Sequence, residues 1–233
     1  MRWAALAERR GGEAGATEDE VYATLSRVID PELDEQIVGL GFVARVAIAG
    51  REVGVDLRLP TYWCAPNFSW LMVSDAREAV MALPGVDHVE VRLIDHHASE
   101  EISEAVTRGH SFEQAFGADA DGSGLEDLRL LFRRKAFLMR QGRALRGLAR
   151  ERLSEATLGE LPDAPTTDAY LEVRRELGLD CSPAAAALSD PAGRPVSNID
   201  AHLRRVRMVS VSLRSNDSMC RGLLQTRYGK VSG

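Results

Sequence analysis

The chain has 233 residues, 45% of them hydrophobic, and a formal net charge of -6. That is enough chain for one fair-sized core or two small ones without disulfide staples, and the acidic balance argues against a generic nucleic-acid binder. Cys64, Cys181 and Cys220 stand far apart with no C-x-x-C pair, which points to reduced thiols in a cytoplasmic protein and away from a secreted disulfide framework.

Residues 1–16 are rich in alanine, glycine and charge, without periodicity, and read as a disordered leader, too charged for a signal peptide. No stretch approaches the roughly 18 apolar residues of a membrane span. Thr17 followed by Glu18-Asp19-Glu20 is a helix start, with Glu20 at the capping-box position. Val21, Leu25, Val28 and Ile29 then fall on one face, and Pro31 stops the helix at Asp30, making Asp30-Pro31-Glu32 a turn. Two β-branched runs follow, Val43 to Ile48 and Val53 to Leu59, with Gly50-Arg51 as the hairpin turn. In the second run Val53, Val55, Leu57 and Leu59 alternate with Glu52, Gly54, Asp56 and Arg58, which predicts one buried and one wet face. Pro60 ends that strand, because proline donates no ladder hydrogen bond, and the loop beyond it carries Cys64. Asn67 to Leu83 has apolar residues at helical spacing, Pro84-Gly85 ends it, and Val86 to Ile94 alternates as a third strand. The order α-β-β-α-β predicts a small mixed sheet with both helices on one face, complete by about residue 95.

Three stretches carry a family resemblance: Asp30-Pro31-Glu32-Leu33, Ile37-Val38-Gly39-Leu40-Gly41-Phe42-Val43, and Pro60-Thr61-Tyr62-Trp63-Cys64-Ala65-Pro66, closed by Leu83-Pro84-Gly85-Val86. In order and spacing, residues 17–95 resemble the iron–sulfur cluster assembly domain of SufT-like and PaaD-like proteins. The resemblance implies an α/β (α+β) assembly-factor domain over 17–97. It implies a non-enzymatic, cytoplasmic maturation factor that delivers iron or an iron–sulfur cluster, held transiently, to a client metalloenzyme or a cluster-assembly protein. Some members serve one multicomponent oxygenase. Asp30, Pro31, Glu32, Gln36, Gly41, Thr61 and Pro66 match the family motif. The cysteine departs from it: the family's stands four residues after the threonine, where this chain has Ala65, and Cys64 stands three after Thr61.

The residues make their own case for Cys64. A cysteine between a strand end and a helix start lies near unpaired backbone N–H groups and the positive end of the helix dipole, a setting that favours thiolate, the form that binds soft metals. The other reading is a small core residue enclosed by Tyr62, Trp63 and Phe68. A lone cysteine does not complete a tetrahedral site, so further ligands would come from a partner or from elsewhere in the chain. His96 and His97 are adjacent and in a strand point to opposite faces, which suits one solvated and one packing imidazole better than a shared ion. Two alternatives stand beside the carrier reading: an interaction or scaffold protein that keeps the fold without metal handling, and an enzyme with Cys64 as nucleophile, for which no histidine partner is evident.

Residues 98–233 read as a mainly helical extension. Ser99 to Arg108 and a segment from Ser111 to Gly117 are short helices, and Ala118 to Gly124 a flexible connection. From Leu125 to about Leu158 arginines interleave with leucines as a basic amphipathic helix, broken at Gly142 or Gly147. A solvated face is the default reading, and a contact for an acidic protein partner through Arg133, Arg134, Arg140 and Arg143 comes second, ahead of nucleic acid or a membrane surface. Thr166-Thr167-Asp168 caps a helix to Leu177, and Cys181 to Ser197 is a loop. Val206 to Leu213 reads as a returning strand, and Asn216 to Ser218 as a polar turn that sets Cys220 at a helix start, as at Cys64. Cys64 and Cys220 then either share a metal or Cys220 is a buried structural thiol; Arg221 and Arg227 suggest an anion site.

Overall fold

The computed structural model describes residues 15–117 and 125–229, in two units: Met1–Leu125 with Asp217–Gly233, and Glu126–Asn216. The leader read at 1–16, its last two residues apart, and the connection read at 118–124 lie outside the described residues.

In the first unit, α1 (Glu18–Leu25) starts at Thr17, whose hydroxyl accepts the Glu20 amide while the Glu20 carboxylate accepts the Thr17 amide. The helix ends at Leu25, six residues before Pro31 and earlier than proline alone requires. Ile29–Asp30 (β1) instead pairs antiparallel with Glu35–Gln36 (β2), and the Asp30-Pro31-Glu32 turn is the tip of that small hairpin. Val43–Ala49 (β3) and Glu52–Arg58 (β4) form the second hairpin around Gly50, whose positive φ of 60° suits glycine. Pro66–Met81 (α2) crosses over to His88–Ile94 (β5), which runs parallel to β4, so the sheet order is β3-β4-β5.

The pairs Val53 and Val89, Val55 and Val91, and Leu57 and Leu93 are in register and buried. Their shared face packs with Leu25 of α1, Trp70, Val73, Ala76 and Val80 of α2, and Ile102 of Ser99–Thr107 (α3). The opposite face of β4 is exposed only at Glu52. Gly54 and Asp56 are buried as well, because β4 is the central strand and Asp56 accepts both arms of the Arg92 guanidinium, its register partner on β5, at 2.8 Å each. Phe112–Phe116 (α4), started by a Ser111–Gln114 capping box, sets Phe112 and Phe116 edge-on to Trp70.

The second unit is built from Leu125–Ala144 (α5), Pro165–Glu176 (α6) and the first part of Ile199–Tyr228 (α7). The basic helix therefore stops at Ala144, close to the expected break, and Gly147 adopts φ 103° in the turn beyond it. Ala164 occupies the cap position of α6 and Pro165 opens the helix, so Thr166-Thr167-Asp168 lies inside the first turn and does not cap it. The core centres on Phe137, Leu138, Tyr170, Val173 and Ala187. Inside it, Gln141 donates to Tyr170 Oη at 2.7 Å and to the Ser189 carbonyl at 2.9 Å, while its Oε1 meets His202 Nε2 at 2.6 Å.

The returning strand is absent: Val206 to Leu213 is helical, part of the 30-residue α7, and so is the supposed polar turn at 216–218. The β-branched content misleads there, whereas the buried positions Val206 and Leu213 stand seven apart, and Met208 and Val211, which a strand would have to place, are exposed. The last turns of α7, from Asp217, belong to the first unit, where Leu224 is 2% exposed and Cys220 and Tyr228 lie against the same core.

Burial on this scale makes the end of α7 part of the first unit's stability. Leu224→Ala is expected to cost about 2–5 kcal/mol, the range for emptying a buried leucine site, read as a lower midpoint in urea denaturation. A variant that unfolds at the wild-type midpoint would show that the helix end adds nothing to that core.

Candidate functional site

Because β4 and β5 are parallel, Arg58 pairs with Ile94 and both strands release their chains at the same end of the sheet. The loop after β4 carries Thr61 to Ala65 and the loop after β5 carries Asp95 to His97. They are joined there: His97 donates its amide to the Tyr62 carbonyl at 3.0 Å, and the His96 ring meets the Cys64 carbonyl at 2.7 Å. His96 Nδ1 accepts the Ala98 amide at 3.1 Å, which places the proton of the neutral ring on Nε2, as donor to Cys64. Ser69, from the first turn of α2, donates its hydroxyl to the Ala65 carbonyl at 3.1 Å. The cysteine loop is thus held by its backbone, leaving the side chain to other work.

Cys64 is half-buried two residues before Pro66, the first residue of α2, and its Sγ lies 3.3 Å from Thr61 Oγ1. That hydroxyl also accepts the Trp63 amide at 3.2 Å. A hydroxyl oxygen so occupied has its proton free to turn toward the sulfur, and a thiolate there would accept it. Tyr62 and Trp63 do not enclose the thiol: they are 46% and 74% exposed, and Trp63 stacks on the exposed ring of His97 with centroids 5.3 Å apart. His96 is the buried packing imidazole and His97 the solvated one, as the alternation predicts. Burial pushes the His96 pKa down, helped by the nearby charges of His97 and Arg227 and opposed by the bond to the Cys64 carbonyl. Its contribution to stability is full above about pH 6.5, the unperturbed value, and falls away as acid forces a proton on the ring.

Of the motif residues, Asp30 has the most defined role. Its Oδ1 accepts the Glu32 and Leu33 amides, each at 2.8 Å, which fixes the turn at Pro31. Gln36 is exposed on β2. Gly41 adopts φ 76° and its carbonyl accepts Arg58 Nε. Pro66 opens α2, where a missing N–H costs nothing.

Cys220 does not stand where its expected placement at a helix start put it. It sits inside α7, not at a helix start, and burial together with the negative charges of Asp30, Glu32, Cys64 and Asp217 pushes its thiol up to about 11. The fold does bring it into the electrostatic reach of Cys64, yet no group of three or more His, Cys, Asp or Glu side chains able to hold a metal exists among the described residues. Arg221 and Arg227 form no anion site: Arg221 donates to the Gly39 carbonyl and Asp217, and Arg227 to the carbonyls of Leu59 and Asp95. Tyr228 adds a bond to the Asp95 carboxylate. Asp95 itself adopts φ 54°, and these bonds hold its turn at the same sheet end as Cys64. In the second unit Arg140 is engaged by the Ala169 carbonyl and Glu172, and Arg133 lies 3.8 Å from Glu176, while Arg134 and Arg143 are exposed. Sequence reasoning gave Ser69 no role and did not say which of the two histidines packs or that it bonds the Cys64 carbonyl; the pair of histidines at a strand end was the available signal.

Asp30 also sets a pH response. Burial pushes its carboxyl up to about 6 against the pull of its two amide bonds. The folded state therefore holds the proton more tightly than the unfolded one, so the stabilisation is present below about pH 4 and lost as pH rises through about 6. Asp30→Asn keeps an Oδ1 acceptor for both amides and has no charge to strand. It is expected to match wild type near pH 4 and to exceed it at pH 8 by up to about 3 kcal/mol, measured by urea denaturation at the two pH values. Parallel pH profiles for the two proteins would remove Asp30 as the source.

Residues 18–93 match the family described as iron-sulfur cluster assembly protein. An iron-sulfur cluster carrier protein of Synechocystis sp. is 42% identical over 77 residues, which are 33% of this chain and 21% of that protein. The chain thus spans about a fifth of that relative, and the family match at 18–93 lies in the first unit. No described helix is long and apolar enough to cross a membrane.

Proposed function

We propose that this chain, whose residues 18–93 are an iron–sulfur cluster assembly domain, holds iron or an iron–sulfur cluster transiently through Cys64 and passes it to another protein. The observation that carries the reading is the placement of Cys64: beyond the joined ends of two parallel strands, two residues before a helix, with a hydroxyl 3.3 Å from its sulfur and its backbone pinned by His96. The family match and the carrier relative support the cargo. The cysteine stands one residue before the family position, and Ala65 in that position serves as the backbone cap of α2. One thiolate fills a quarter of a tetrahedral coordination shell, so the remaining ligands come from a receiving or donating protein, and that incompleteness suits transfer over storage. The receiver is a client metalloenzyme or an assembly protein; the narrower choice of a multicomponent oxygenase rests on the PaaD-like resemblance alone.

The arrangement speaks against a nucleophilic enzyme at Cys64. A general base must reach the sulfur, and both ring nitrogens of His96 are occupied, one by the Cys64 carbonyl and one by the Ala98 amide. Cys220, with its thiol pushed up to about 11, is assigned to packing and not to the first ligand set.

Anaerobic reconstitution with ferrous iron and sulfide is expected to give substoichiometric metal that a chelator strips readily, followed by absorbance and iron analysis. Cys64→Ala should lose most of it and Cys220→Ala should keep it. Equal loss in the two variants would point to a shared site, and full binding by Cys64→Ala would overturn the proposal in favour of an interaction protein that keeps the fold without the metal.

A further inference from the structure

The second unit contains a cleft lined by neither Cys64 nor the residues that hold its loop. α5 and α7 approach so closely that a Cβ added at Gly142 would lie 2.5 Å from Val206 Cγ1. Beside this crossing lies a cavity of about 380 Å³, at the small end of ligand pockets. Leu145, Leu153 and Leu203 give it an apolar floor, and Arg143, Arg146 and Arg207 stand around it, with Arg214 further along α7. No carboxylate lines it, although the protein is acidic overall with a net charge of -6.

Pairing elsewhere in the unit makes the contrast informative. Arg140 is matched by Glu172, Arg150 by Asp200 and Arg152 by Glu160. The side chains of Arg143, Arg146 and Arg207 have no hydrogen-bond or ion-pair partner among the described residues. Like charges gathered without counter-charges repel one another, and an anion placed among them relieves that repulsion. The guanidinium fork takes two oxygens of a carboxylate or phosphate at once, while the leucine floor takes an apolar body.

We propose that this cleft binds a small anionic amphiphile, a molecule with a carboxylate or phosphate head set among Arg143, Arg146 and Arg207 and a short apolar chain over Leu145, Leu153 and Leu203. The volume commits the site to a small molecule; a docking helix would need a groove reaching several turns of side-chain anchors. The site is independent of Cys64 and of the metal reading.

Calorimetric titration of the full chain tests it with four probes: octanoate, octyl phosphate, acetate and 1-octanol. Octanoate or octyl phosphate is expected to bind saturably at one site, the tighter of the two identifying the head group, with acetate and octanol at least about tenfold weaker because each lacks one half of the match. The double variant Arg146→Gln, Arg207→Gln, checked for unchanged circular dichroism and melting, should weaken the tighter probe by about tenfold or more. Chemical-shift changes on the methyls of Leu145 and Leu203 should accompany binding. The proposal fails if neither amphiphile binds below about 1 mM, if octanol binds as well as octanoate, if the folded double variant binds unchanged, or if an acidic peptide binds the cleft and both amphiphiles do not.

Discussion

The parallel register of β4 against β5 is the constraint on which the rest of the first unit depends. Because Val53 to Leu57 face Val89 to Leu93 in step, one set of side chains from both strands enters the same core, and both chains leave the sheet at one end. A slip by one residue would turn the valines outward and separate the Cys64 loop from His96. The register is held by more than apolar packing. Asp56 and Arg92, in register on the other face, exchange two hydrogen bonds, and a half-buried pair of that geometry penalises any alternative alignment that would leave Asp56 unmatched.

From that register follows the character of the site. Its residues come from sheet-end loops, yet these are fixed at several points: His96 on Cys64, His97 on Tyr62, Ser69 on Ala65, and Arg227 on the carbonyls of Leu59 and Asp95. Backbone carbonyls that leave a sheet need donors, and here side chains supply them. Beside them lie the half-buried Cys64 with its hydroxyl neighbour, packed against the core, and a stacked Trp63–His97 pair, a large exposed aromatic surface next to a thiol. A loop fixed this way can offer one ligand in a constant geometry, which is what the proposed transient holding requires of this chain's share of the coordination.

The second unit solves a different problem. Its centre is polar, with Gln141, Tyr170, Arg174, Ser189 and His202 joined by hydrogen bonds inside an apolar shell. Such a network is stabilising only when every member is satisfied, and it makes the packing of α5, α6 and α7 specific where leucine alone would permit several arrangements. The close contact of Gly142 with Val206 is part of that specificity, and the cleft beside it is its by-product.

Local signals in the sequence carried much of the first unit. The Thr17–Glu20 box, the alternation of Val53 to Leu59 and Val89 to Leu93, the Gly50 turn and the helical stripe after Pro66 all act between near neighbours, so they are legible without the fold. The iron–sulfur assembly domain was recognisable for the same reason, since its motif residues sit at turns and element ends. Tertiary structure alone decided three things. Whether β4 has a wet face depends on its central place in the sheet and on Arg92, thirty-six residues from Asp56 along the chain. Whether 206–213 is strand or helix depends on packing, because valine-rich segments satisfy either pattern over a few residues. And that Cys220 lies within reach of Cys64, with its thiol pushed up by Asp30 and its neighbours, follows from the return of α7 to the first unit, a long-range contact for which no local spacing of residues gives a sign.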